Sequence, residues 1–73
     1  MTVFDLKKGE SATVTGVKLE GSAAARLSAL GLKTGTRVQV LSFSLFKSAV
    51  LLAFGAVRVG IRRPMALKIE VVK

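Results

Sequence analysis

Apolar residues recur along this chain with two periods. From Val57 to Arg62 the alternation is strict: Val57, Val59 and Ile61 fall on one side, Arg58, Gly60 and Arg62 on the other. This is the clearest period-two run in the sequence and predicts a strand with one buried face. Just before it, Val50, Leu52 and Phe54 alternate with Ala49, Leu51 and Ala53. The Gly55-Ala56 pair between the two runs suits a short hairpin connection. Ala23, Leu27 and Leu30 instead recur at i, i+4 and i+7, one face of a helix. Neighbouring alanines favour that helix, and Ser22 or Gly21 is expected to cap its start. Gly31, after the last apolar residue, suits a left-handed cap, with Leu32 placed to fold back on the final turn. Leu27 and Leu30 are assigned to the core, Arg26 and Ser28 to the outer side.

The remaining elements follow from weaker patterns. Phe4 and Leu6 are the first apolar anchors, and Lys7-Lys8-Gly9-Glu10 reads as a turn. Ala12, Val14 and Val17 make a first strand, in which Gly16 marks a bulge or bend. Lys33 to Thr36 is a turn, and the second strand runs from about Thr36 to Phe43. Its inward phase changes from Val38 and Val40 to Leu41 and Phe43. A bulge near Leu41, or a strand buried on both faces, accounts for that change. Phe46-Lys47-Ser48 is the next turn tip. Pro64 ends the fourth strand, since proline donates nothing to a ladder, and Pro64 to Ala66 fits a single 3₁₀ turn. Leu67, Ile69 and Val71 form the last strand. The sum is a mainly β fold: about five short antiparallel strands, with one short helix inserted between the first and second. Closure into a small barrel would remove exposed edges.

The length of 73 residues fits one domain, residues 1–73, with a thin core, since chains this small bury only about 60% of their unfolded surface. There is no cysteine and no histidine, so neither a disulfide nor a thiolate or imidazole metal site is available. The 51% hydrophobic content leaves packing to hold the fold, and the lack of cysteine fits a reducing cytosol. Val38 to Val57 contains one charged residue, Lys47, and is nearly long enough to span a bilayer. Lys47 at its centre would cost about 2.5–3.5 kcal/mol on insertion, and Gln39, Ser42, Ser44 and Ser48 add to that, so a β-hairpin is the better reading. The N-terminal residues lack the pattern of a secretory signal.

Charge brings function into view. Twelve basic and four acidic residues give a net charge of +8. That excess favours polyanions, acidic protein faces or anionic membrane surfaces. With no His, Cys or Tyr, no serine has a histidine base to activate it, and the four carboxylates stand apart in sequence. No catalytic residue, metal ligand or cofactor is assigned. An oxygen-only metal site on Glu20 or Glu70 is the alternative to ordinary solvated carboxylates. Arg58 and Arg62 should face solvent, Arg63 and Lys68 flank Pro64, and Arg37 is expected nearby. These arginines are either a solvated exterior or a docking surface for an acidic face or the inner membrane leaflet. Leu45 and Phe46, large apolar residues beside Lys47, more often fold back into the core at such a tip; otherwise they form an exposed anchor. Nucleic-acid binding by a small basic barrel is the other functional class. It lacks aromatic platforms, since there is no Tyr or Trp and the four Phe residues mostly fit core phases.

One resemblance covers nearly the whole chain. Leu6-Lys7-Lys8-Gly9-Glu10, the stretch Arg26-Leu27-Ser28-Ala29-Leu30-Gly31-Leu32-Lys33-Thr34-Gly35-Thr36-Arg37-Val38, and Val59-Gly60-Ile61-Arg62-Arg63 with Ala66 and Ile69-Glu70-Val71 resemble the FeoA family. The fold is also similar to the C-terminal module of DtxR-type metal-dependent repressors. The resemblance implies an SH3-like β-barrel, no enzymatic activity, and a role in bacterial ferrous iron uptake through contact with the membrane transporter FeoB. Where the family usually has a Gly-Asp-Pro-type turn between the second and third strands, this chain has Leu45-Phe46-Lys47-Ser48-Ala49. A helix-turn-helix, which repressor function would need, is missing from the reading.

Overall fold

The computed structural model describes every residue from Met1 to Lys73. Five strands, β1 (Ser11–Val17), β2 (Arg37–Phe43), β3 (Ala49–Phe54), β4 (Val57–Arg62) and β5 (Ile69–Val72), form one antiparallel sheet in the order β4-β3-β2-β1-β5. The helix α1 (Gly21–Leu30) lies between β1 and β2, and a single helical turn, α2 (Arg63–Ala66), joins β4 to β5.

The β3–β4 hairpin follows from strict alternation. Phe54 pairs with Val57, and Gly55 at the first turn position has φ 59°, the positive value that two-residue hairpin turns require. The register of β2 on β3 slips between Val40 and Ser42. Leu41 is therefore the extra residue of a bulge, which resolves the phase change in favour of the bulge. A second slip lies between Val14 and Gly16 where β1 meets β5.

The helix ends as its sequence requires. Gly31 takes φ 106°, its N–H donates to the Ser28 carbonyl, and the Leu32 N–H donates to the Leu27 carbonyl at 2.9 Å. This is the Schellman arrangement, in which the residue after the glycine packs back on the last turn; Leu32 and Leu27 are both buried. The start differs from expectation. Glu20, not Ser22 or Gly21, occupies the capping position, and no side chain accepts a hydrogen bond there.

All fifteen buried residues are apolar. They come from the inward phases of the five strands, from Leu27 and Leu32, from Ala66, and from Val3 and Leu6 of the N-terminal segment. Four core assignments are corrected. Leu30 is exposed because α1 covers the sheet with one narrow stripe that Leu27 fills. Val3 takes the core position given to Phe4, whose ring is half-buried at the edge. Leu67 is exposed, since α2 and the turn after it hold it outside β5. Of the four Phe residues only Phe54 is buried. The turn at Pro64 is α-helical and begins at Arg63, with proline at its tolerated first-turn position.

The sheet curls but does not close: no ladder joins β4 to β5. The outer side of β5 is covered by the N-terminus. Thr2 bridges Glu70, and the Val71 N–H donates to the Met1 carbonyl at 2.8 Å. β4 has no such cover. The span Val38–Val57 folds as β2, a turn and β3, and no helix is long and apolar enough to cross a membrane.

Candidate docking face

The connection from β2 to β3 is short and rigid. The Ser44 hydroxyl accepts from the Ala49 N–H at 2.7 Å and lies 2.8 Å from the Ser48 hydroxyl. The Ser44 N–H donates to the Ala49 carbonyl at 3.0 Å. Within this clamp the backbone turns left-handed at two successive residues, Phe46 (φ 59°) and Lys47 (φ 54°). For non-glycine residues that conformation is uncommon, and for a bulky one it is strained. The clamp holds Leu45 79% and Phe46 89% exposed. The preference for a tucked-in tip is therefore corrected. The loop is too short and too tightly hydrogen-bonded to turn either side chain inward.

Two cations stack on rings beside the loop that carries this apolar knob. Lys47 Nζ sits 4.8 Å from the centre of the Phe43 ring. The Phe43 and Phe4 rings lie 5.6 Å apart, and the Arg63 guanidinium stands 5.2 Å from the Phe4 ring. Each such cation–ring contact is worth about 0.5–1 kcal/mol at an exposed site. Two rings thus orient two cations, and Phe46 alone of the four Phe side chains stands fully out. Arg63 also ties α2 to the loop, its N–H donating to the Ser48 carbonyl at 2.9 Å.

The outward face of β2, β3 and β4 continues from the knob. Ala49 pairs with Arg62, Leu51 with Gly60, and Ala53 with both Arg58 and Gln39. The face is floored by small or apolar side chains with arginines at its ends. Leu45, Phe46, Lys47, Arg62 and Arg63 gather at one end. Arg58 lies farther along β4, four residues or about 13 Å from Arg62. Arg37 is at the opposite end of the sheet, where its guanidinium donates to the Thr13 hydroxyl at 3.3 Å. It does not join the Pro64 corner.

Charge is unevenly divided along the chain. No Asp or Glu occurs from Gly21 to Ile69, whereas that stretch holds Arg26, Lys33, Arg37, Lys47, Arg58, Arg62, Arg63 and Lys68. Three of the four acids are engaged outside it. Glu70 meets the N-terminal ammonium at 3.6 Å and Lys18 at 3.5 Å, and Glu10 meets Lys73 at 2.7 Å. The hydrogen bond from Lys73, with the Lys7 N–H at 2.6 Å, holds the Glu10 carboxyl below the usual carboxylate range. Asp5 accepts from the Thr2 N–H at 2.8 Å. No three metal-capable side chains come together. The sequence reading missed the paired rings of Phe4 and Phe43, for which no linear signal exists. It also missed the acid-free stretch, which was there to be counted.

The FeoA domain profile matches residues 1–73. A solved FeoA protein from Chlorobium tepidum is 32% identical, covers 97% of this chain and 68% of its own, and superposes with a TM-score of 0.89. FeoA of Stenotrophomonas maltophilia, solved with zinc and put forward as a prokaryotic SH3 domain protein activating ferrous iron transport, is 28% identical. It covers 99% of this chain and 89% of its own, with a TM-score of 0.82. A manganese-dependent transcriptional repressor is 20% identical over 99% of this chain and 40% of its own; its TM-score of 0.85 speaks for the shared SH3-like fold alone. No curated protein matches. The family match spans the chain and the strands and helix fall where the fold requires them, so this protein belongs to the FeoA domain family, which is associated with ferrous iron transport.

Proposed function

We propose that residues 1–73 act as one non-catalytic adaptor in bacterial ferrous iron uptake, binding the cytosolic part of the transporter FeoB. The observation that carries this reading is the knob at Leu45 and Phe46. It is held out at a cost in backbone strain, with Lys47 in the same loop and Arg63 bonded to its Ser48 carbonyl. Strain of this kind persists where the surroundings impose it and clusters at functional positions. Aromatic and arginine side chains are the types enriched at binding interfaces. The outward face with Arg58 and Arg62 extends the contact toward an acidic surface. Three of the four carboxylates are engaged within the fold, Glu10 and Glu70 by cations and Asp5 by a backbone N–H.

The test is capture of the cytosolic region of FeoB by the purified protein, alongside Fe(II) uptake in a deletion strain. Capture that is lost in Phe46→Ser with the fold intact, together with reduced uptake on deletion, is the expected result. Unchanged uptake and no capture count against it. Binding instead to vesicles of anionic phospholipid would move the partner from protein to membrane surface. Salt-sensitive binding to RNA or DNA would favour the nucleic-acid reading, although Phe46 offers only one free ring for stacking.

A further inference from the structure

We infer that the free edge of β4 accepts an extended segment of the partner as a sixth strand, in which acidic and apolar residues alternate. β4 pairs with β3 alone. None of the backbone hydrogen bonds outside the ladders and helices involves Val57 to Ile61. The opposite edge of the sheet is covered by the N-terminus, so β4 is where the sheet remains extendable. An uncovered edge is a template for another strand, and natural sheets manage it with charge.

The neighbourhood of this edge is shaped for an occupant. A groove of roughly 380 Å³ runs between α1 and β4. Val59 and Ile61 form one wall, Leu27 and the half-exposed Leu30 the other, with Met65 at the end. Arg26 of α1 and Arg62 of β4 flank it. Neither arginine has a carboxylate within 4.0 Å, since the molecule's ion pairs involve only Glu10 and Glu70. A Cβ built on Gly60 meets nothing within 4 Å, so the outer face of β4 is open at its midpoint.

The register defines the chemistry of the incoming strand. With its central residue opposite Gly60, the residues one step away face Val59 and Ile61 and enter the groove; those two steps away face Arg58 and Arg62. Apolar residues suit the first pair and Asp or Glu the second. The pattern is acidic, apolar, any, apolar, acidic, and it reads alike in either strand direction. A second copy of this chain is unsuited to that register. Antiparallel pairing of β4 with itself about Gly60 sets Arg58 against Arg62 twice, and like charges directly opposite are destabilising. The same two arginines that keep copies apart thus select an acidic partner strand. The identity of that partner as FeoB rests on the functional reading above; the strand chemistry does not.

The experiment is an NMR titration of ¹⁵N-labelled protein with two probes. One is the cytosolic region of FeoB. The other is a short peptide of the stated pattern, compared with the same peptide carrying Lys at both acidic positions. The expected result with either binding probe is slowed amide exchange within Val57–Ile61 and shifts along Ser22–Leu30. Affinity should fall about tenfold or more in the Arg58→Glu, Arg62→Glu double variant, and the Lys peptide should restore it. Shifts confined to Leu45–Ser48 with FeoB would overturn the inference while leaving the adaptor reading intact. Binding of the peptide without FeoB would uphold the strand chemistry and remove the adaptor reading. No response to the peptide, or equal binding of both peptides, would mean that Arg58 and Arg62 serve only to block edge pairing, and the inference fails.

Discussion

Phe46 combines two features that rarely coincide: a large apolar side chain almost wholly in water, and a left-handed backbone. For an L residue that backbone costs about 1–2 kcal/mol. Glycine pays no steric penalty there, although it has more chain entropy to lose, about 0.5–1 kcal/mol. Phe46→Gly should therefore leave folding stability unchanged or raise it by up to about 1 kcal/mol, measured by denaturant melts, while weakening capture of the partner. A drop of several kcal/mol would return Phe46 to the core and remove the anchor. This residue also marks a limit of sequence reading. Hydrophobicity at a turn tip is compatible with both fates, and what decides between them is the hydroxyl clamp of Ser44 and Ser48, a matter of three-dimensional closure. Leu30 failed differently. Its i, i+7 spacing from Ala23 was right for a helix face, but one leucine, Leu27, already fills the stripe that α1 buries.

Among the elements, those with a strong period were legible in the sequence. The β3–β4 hairpin and the α1 helix follow from spacing, whereas the phase change at Leu41 admitted two readings until the register of β2 on β3 chose the bulge. The last strand was misplaced at its start because Arg63 to Ala66 forms a helical turn that carries Leu67 past the sheet. A proline so near a strand end masks that turn. The most explicit local signal was Gly31, whose φ of 106° closes α1. Gly31→Ala forces a Cβ into the left-handed region and should destabilise the protein by about 1–2 kcal/mol. Because Leu32 packs through this cap, the loss should appear as faster amide exchange along α1 before the strands. Equal stability of the two proteins would mean that the cap does not hold the helix.

The molecule as a whole is a small sheet-based shell whose excess charge comes from one stretch of its chain. Gly21 to Ile69 carries the entire excess, while the acids are Asp5 and Glu10 near the N-terminus, Glu20 just before α1, and Glu70 of β5. The number +8 was visible from composition, but the pairing of the acids needed the topology, which brings Glu10 to Lys73 across sixty-three residues. The open seam beside β4 was likewise invisible: five alternating strands suggest closure, and only the register shows that β4 and β5 never pair. Acid stability should report the Glu10–Lys73 contact. The folded carboxyl is held below the usual range, so its contribution is present above about pH 4.3, the unfolded value, and is lost as pH falls through the folded value. Glu10→Gln should flatten the acid limb of a stability–pH profile below about pH 4.3; an unaltered limb would show that the contact adds nothing.

The contact surface itself is best tested by titrating fluorescently labelled protein with the cytosolic region of FeoB at increasing salt. Saturable binding that weakens steadily as screening rises, and that Phe46→Gly abolishes without unfolding the chain, is the predicted result. No saturable binding, or binding indifferent to both salt and Phe46, would contradict it.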